Sequence, residues 1–205
     1  WKQYTPGMTT YDVPFSSHRL YTQGRWKGLP CMNIHDGNYP KIGALPGLAA
    51  TAKKLRKIGA MICPYVATEI FDQGPAENSP YAAEAKPYMV RDLYGVLRTW
   101  SVETPWQACV CTPWWRERLR ETCVEMVRRE HVPGFYLDVM QGAGLPCYWT
   151  PHGHSAAGGD SMTKGMHDLV EIIRNAVKAE DPEVIITGEN CTENVIDVVD
   201  GTLTV

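Results

Sequence analysis

The chain has 205 residues, 44% of them hydrophobic and 21% charged, with a formal net charge of −3. That is enough apolar material for one domain with a sizeable core, and the mild acidity offers no electrostatic pull toward nucleic acid or an anionic membrane. No apolar run approaches the roughly 20 residues of a membrane-spanning helix.

Residues 1–27 show no clear period and are expected to form a preceding loop or strand. From residue 28 to residue 205, short apolar runs alternate with stretches of helical periodicity. Leu29–Ile34 reads as a strand, followed by the turn-like His35-Asp36-Gly37-Asn38. Leu45, Leu48, Ala49, Ala52, Leu55 and Ile58 recur at spacings of three and four, which predicts an amphipathic helix with Lys53, Lys54 and Lys57 outside. Gly59 stops it. Ala60–Ala67 reads as a buried strand, and a long polar, Pro-rich insertion covers about 70–98. Trp106–Cys111 is another apolar run. Thr112-Pro113 then suits an N-cap and first helical turn, because Pro there loses no needed N–H. The helix continues through Leu119, Cys123, Met126 and Val127, with Arg and Glu on its wet face.

Phe135–Met140 is the next predicted strand, followed by a loop over 141–162 rich in Gly, Pro and His. Met166, Leu169, Val170, Ile173 and Val177 mark a further amphipathic helix, and Asp181-Pro182 turns the chain into the strand Glu183–Thr187. Strands alternating with helices argue an α/β fold with a parallel sheet. The long insertions all follow strands, and no phosphate-binding glycine fingerprint is present. Both features favour a (β/α)8 TIM barrel over an open sheet, because barrels build their sites from loops after strands. About four βα units are countable. The chain also opens on Trp1 rather than Met, so it is expected to be a piece of a longer protein, with the rest of the barrel outside it.

Seven cysteines is an odd count. Six of them (Cys31, Cys63, Cys109, Cys111, Cys123 and Cys191) lie in apolar or strand-like stretches, as small buried hydrophobes of a reducing compartment would. Cys109-x-Cys111 lacks the spacing of a zinc knuckle and no second pair answers it. No metal and no cofactor are expected.

The chemistry concentrates at two strand ends. Gly134-Phe135-Tyr136-Leu137-Asp138 and Ile185-Ile186-Thr187-Gly188-Glu189 each finish an apolar run on a carboxylate. Acids at strand ends of a parallel barrel face the active bowl. Two of them on consecutive strands can flank one bond, one attacking the anomeric carbon and the other carrying the leaving-group proton, provided their pKa values differ. A lone Asp after a strand is as often a helix cap, but Glu is a poor one. Glu193, one helical turn past Glu189, is the rival for the acid role.

Gly-Phe-x-Leu-Asp and Gly-Glu on successive strands resemble the α-amylase-type and endo-α-N-acetylgalactosaminidase-like glycoside hydrolases, and bacterial barrel domains of unknown function related to them. The resemblance covers about 106–200. It implies that Asp138 is a nucleophile on the fourth barrel strand, that Glu189 is the acid/base on the fifth, and that hydrolysis retains anomeric configuration. The α-amylase pattern has Arg two positions before the Asp, where this chain has Tyr136, which argues against a true α-amylase and against α-glucan as substrate.

Seven tryptophans and ten tyrosines against three phenylalanines supply flat faces with polar edges, suited to sugar rings. Trp100, Trp106, Trp114, Trp115, Tyr148 and Trp149 lie in or beside post-strand loops; Trp149 is the best candidate for a cleft, with Tyr148 beside it, whereas Trp114 and Trp115 suit helix packing. His35, Asp36, Glu69 and His152 are further candidates for substrate binding. His152-Gly153-His154 could ligate a metal or bond hydroxyls. The expected partner is a carbohydrate, with neither nucleic acid nor membrane. Two rival readings remain: a metal-dependent hydrolase on the same barrel using His35, Asp36, His152 and Asp138, and a non-catalytic barrel that binds glycans through aromatic loops.

Overall fold

A computed structural model describes residues 37–41, 43–44, 47–74, 77–99, 105–140, 146–157, 160–189 and 193–203. The expected strand Leu29–Ile34 and the segment 1–27 lie outside the described residues, as do His35, Asp36 and Trp100.

Four strands form one parallel sheet: β1 (Tyr65–Ala67), β4 (Gly134–Asp138), β5 (Ile185–Glu189) and β6 (Gly201–Leu203), in the order β1-β4-β5-β6. Spatial order follows chain order without a reversal. A doubly wound sheet reverses at its switch point, and this sheet does not within its described strands. Two helices make the crossovers. α3 (Pro113–Glu125), prolonged by a π-helical turn over Met126–Glu130, leads into β4, and α4 (Ser161–Glu180) leads into β5. Among the described residues, the connection from β5 to β6 carries the 3-10 turn Glu193–Val195.

The expected amphipathic helices form where the spacing places them. α1 (Leu48–Arg56) precedes β1 but is shorter than the spacing suggests: Ala52 is its buried residue, Ile58 lies past its end and is exposed, and Leu45 is outside the described residues. α4 buries Met166, Leu169, Val170, Ile173 and Val177 against α3 and one face of the sheet, where they meet Leu119, Cys123, Val66, Phe135, Leu137 and Ile186 in the main core. Each such side chain, fully buried, contributes about 1.5–3 kcal/mol. Thr112 is the N-cap residue of α3 and Pro113 its first residue, but the Thr112 hydroxyl donates back to the Cys109 carbonyl at 2.8 Å and does not cap the helix. The wet face of α3 is not wholly wet. Arg118 is buried, donating to the Tyr39 carbonyl at 2.9 Å and lying over the Tyr81 ring.

One expected strand belongs elsewhere. In the run Trp106–Cys111, only Trp106–Gln107 is a strand (β3), and it pairs antiparallel with β2 (Ile70–Phe71). An apolar run reports burial, and the burial of Trp106 comes from a small sheet folded over the C-terminal end of β1. The insertion after β1 therefore has structure of its own: β2, the short helix α2 (Ala82–Ala85), a 3-10 turn Lys86–Tyr88, and β3.

The glycines of the two strand motifs are required by packing. A Cβ on Gly134 would sit 2.8 Å from the Ile185 carbonyl oxygen and 2.9 Å from Cys63 Sγ. On Gly188 it would collide with the buried side chain of Met140. Gly134 makes room for Ile185 of β5 and for Cys63, and Gly188 leaves the space that the Met140 side chain fills.

Candidate active site at the C-terminal ends of the strands

Ala67 pairs with Asp138, Leu137 with Gly188, and Glu189 with Leu203. Continued one residue past the Leu137–Gly188 pair, the register sets Asp138 beside Glu189. Paired residues of parallel strands face the same side. Asp138 and Glu189 therefore share the face opposite the helices, at the C-terminal end of the sheet. Tyr65 and Tyr136 pair on the same face with ring centroids 5.8 Å apart, so Tyr136 occupies the floor two residues below Asp138. On β5 the helix-facing residues are buried while Ile185, Thr187 and Glu189 are half-buried. This face of β5 is open.

The turn after Asp138 is strained. Val139 has φ +60°, the left-handed region that a β-branched residue rarely adopts. Thr68, fully buried just past β1, holds it there. Its hydroxyl lies 2.8 Å from the Asp138 carbonyl and 3.0 Å from the Val139 carbonyl, and its amide donates to Asp138 O at 3.0 Å. The Thr68 carbonyl in turn accepts from Trp115 Nε1 at 2.7 Å. Trp115, on the first turn of α3, is thus a core residue that ties the helix to the acid's turn. Trp114 also packs, stacked on Tyr88 at 5.4 Å, and Trp106 is buried.

Asp138 is 8% exposed and Glu69 only 1%. Glu69 lies between β1 and β2, where the Gln107 side-chain amide donates to it at 3.2 Å. Burial pushes its carboxyl up to about 7, against a smaller lowering by that hydrogen bond. Gln107 Oε1 is buried without a partner among the described residues. Glu193 is exposed, at the start of the 3-10 turn after β5.

The loop after β4 carries the predicted aromatics. Trp149 is 40% exposed with the Arg91 guanidinium over its ring, and the Tyr148 amide donates to the Arg91 carbonyl at 2.9 Å. His152 is not directed at Asp138. Its Nδ1 lies 3.4 Å from Cys147 Sγ, and His154 Nε2 lies 3.3 Å from Cys109 Sγ. The ligand-type atoms of Cys109, Cys147, His152 and His154 all fall within 4.8 Å of one another. The sequence offered His152-Gly153-His154 as possible metal ligands but considered Cys109 only with Cys111, and did not bring Cys109 or Cys147 to the histidines; the local signal is Cys147-x4-His152-x-His154. Cys147 is drawn well below the usual thiol range, chiefly by the Cys109 thiol. A polar recess at the opposite end of the sheet is lined by Arg56, Arg128, His131, Glu180 and Asp181.

This is a mixed α/β protein with a parallel sheet that carries two acids side by side at its C-terminal edge, and solved glycoside hydrolases share the fold. An alpha-L-fucosidase isoenzyme 2 from Paenibacillus thiaminolyticus superposes with a TM-score of 0.55 at 19% identity, over 76% of this chain and 25% of that one. An alpha-amylase from Lactobacillus plantarum gives 0.53 at 16% identity, over 80% and 32%, and the alpha-galactosidase of Thermus thermophilus gives 0.54 at 12%, over 76% and 30%. The chain itself belongs to the family described as a domain of unknown function, DUF6259, which matches residues 25–205. A Bacteroides thetaiotaomicron protein named "Putative glycoside hydrolase" is 28% identical over 175 residues, 83% of this chain. A Monosiga brevicollis protein named "Putative glycoside hydrolase 22789" is 26% identical over 167 residues, 74% of this chain. The chain spans 26% and 13% of the lengths of these two relatives.

Proposed function

We propose that this chain supplies part of a closed (β/α)8 barrel and the catalytic pair of a retaining glycoside hydrolase, with Asp138 as nucleophile and Glu189 as acid/base. The observation that carries the reading is the shared register of the two acids on one face of neighbouring strands. Neighbouring strands lie about 4.8 Å apart, and a retaining pair needs its carboxyls about 5–5.5 Å apart so that the nucleophile reaches the anomeric carbon. The names of the two relatives support the same class of reaction.

In this reading Glu189 protonates the departing oxygen while Asp138 bonds to the anomeric carbon. Glu189 then takes a proton from the water that displaces Asp138, and regains its acid form for the next cycle. The half-exposed Glu189 has access to that water, and Asp138 is shielded from it. Trp149, exposed on the following loop, offers a sugar its ring face.

The test is kinetic, on the full-length protein. Glu189→Gln is expected to be slow on natural glycans, partly active on aryl glycosides with good leaving groups, and rescued by azide. Full activity of Glu189→Gln on natural glycans would overturn the assignment and move attention to Glu193. Trp149→Ala is expected to raise KM while the unfolding midpoint stays in place; a large loss of stability with unchanged KM would return Trp149 to the core.

A further inference from the structure

We infer that Cys109, Cys147, His152 and His154 bind one zinc ion, as a structural site that fixes the loop after β4 to the small sheet inserted after β1. The inference is independent of the hydrolase reading.

The donor set comes first. Two thiols and two imidazoles suit zinc, whereas calcium and magnesium take oxygen ligands. The geometry agrees. With Zn–S near 2.3 Å and Zn–N near 2.0–2.1 Å, a tetrahedron has S···N edges of about 3.5 Å. Two of the sulfur–nitrogen separations are 3.3 and 3.4 Å, and no separation within the group exceeds 4.8 Å.

The second observation concerns the far side of each imidazole. A histidine that ligates a metal through one ring nitrogen usually donates its other N–H to a carbonyl or carboxylate, which fixes its tautomer. Both histidines here do so. His152 Nε2 lies 2.8 Å from the Pro87 carbonyl, leaving Nδ1 for the metal. His154 Nδ1 lies 2.9 Å from the Ser155 carbonyl, leaving Nε2. The two therefore ligate through opposite ring nitrogens, and each is oriented by a backbone acceptor. Gly153, at φ +85°, turns the chain between them. Cys111 neighbours Cys109 and packs against the same cluster, but its thiol donates to the Ser161 carbonyl at 3.2 Å, and the donors that all lie within 4.8 Å of one another are the four named. Four protein ligands leave no open position, the pattern of a structural site rather than a catalytic one.

On binding, both thiols lose their protons to solvent and two thiolates balance the dication, so a neutral centre forms among the buried side chains of Val90, Cys109 and Cys147. Three segments converge there: 87–91, the stretch after β3, and 146–157. The last of these carries Tyr148 and Trp149. A zinc ion would hold those aromatics in place in a loop with little regular structure.

The experiment uses the full-length protein purified without a metal-affinity step. Elemental analysis is expected to find one zinc per chain after dialysis, and a mercurial that caps thiols is expected to release it. Cys147→Ser and His154→Ala should each reduce retained zinc about tenfold or more, and should speed proteolysis within 146–157. If either variant fails to fold, the wild-type protein loaded with cobalt(II) decides. A tetrahedral visible spectrum with thiolate-to-cobalt charge transfer supports the site, and a weak octahedral spectrum overturns it. Folded wild-type protein without zinc, zinc unchanged in Cys147→Ser, or a Cys109–Cys147 disulfide found by peptide mass would each overturn it as well.

Discussion

The two ends of the parallel sheet treat charge in opposite ways. At the end where the strands begin, acids and bases meet in water. Arg128 grips Glu180 with two hydrogen bonds of 2.8 and 2.7 Å, and Arg56 reaches Asp181 at 3.4 Å. At the end where the strands finish, polar groups are buried and imperfectly paired. Among the described residues, buried Glu69 takes the Gln107 amide on its carboxylate, Gln107 Oε1 lacks a partner, and Val139 is strained beside Asp138. Solvated pairs contribute little to stability and risk little. Buried, under-paired groups are costly, and proteins retain them where a site needs them. The difference agrees with the end at which the proposed catalytic pair lies, and it is read without reference to any relative.

The largest expected effect falls on Asp138. Asp138→Asn in the full-length protein should lower turnover by a factor on the order of 10⁴ or more, with the unfolding midpoint close to wild type. Equal losses of activity and stability would place Asp138 among the structural acids. Thr68→Val comes next. It keeps the shape of the buried side chain and removes the hydroxyl that holds the Asp138 and Val139 carbonyls, at a cost of about 1–3 kcal/mol. Thr68 is a positioning residue, so kcat should fall with KM nearly unchanged, and Thr68→Ser should restore it.

Much of this end was legible in the sequence. The register of Asp138 with Glu189 follows from two apolar runs of matching length that each end on an acid. α4 follows from spacings of three and four over five apolar residues. What stayed hidden depends on partners distant along the chain. Trp106–Cys111 is apolar in either sheet, and nothing local states whether its neighbour runs parallel or antiparallel. Cys109 and His154 lie 45 positions apart, so their convergence exists only once the loop after β4 has folded against 87–91. Glu69 could be read as a strand-end acid, but its burial comes from the β2–β3 pair folding over it.

Glu69 sharpens the comparison through pH. Its folded-state pKa of about 7 stands above the ordinary 4.5. A raised carboxyl contributes stability that is complete below 4.5 and is lost as pH rises through 7. The full-length protein should therefore lose stability across that window, by an amount on the order of 3 kcal/mol at most. Glu69→Gln removes the titration, and its unfolding midpoint should vary less between pH 5 and 8 than that of wild type. An unchanged profile in Glu69→Gln would show that the buried carboxyl does not govern this slope.

The smallest effect belongs to the other end and has the opposite sign. Hydrogen bonds from Arg128 hold the Glu180 carboxyl below its ordinary value. A depressed carboxyl contributes stability that is present above the unfolded pKa and lost as pH falls through the folded one. Glu180 therefore acts in the acid range, below the window of Glu69. The pair is bidentate, which favours it, but both partners are in contact with solvent, where salt screens the attraction and two long side chains must be held in one geometry. Glu180→Gln should move the denaturation midpoint only slightly at neutral pH, and molar salt should erase even that difference. A salt-insensitive loss as large as that of Thr68→Val would mean that the charges at the two ends of the sheet are not handled differently, and the contrast between the ends would fail.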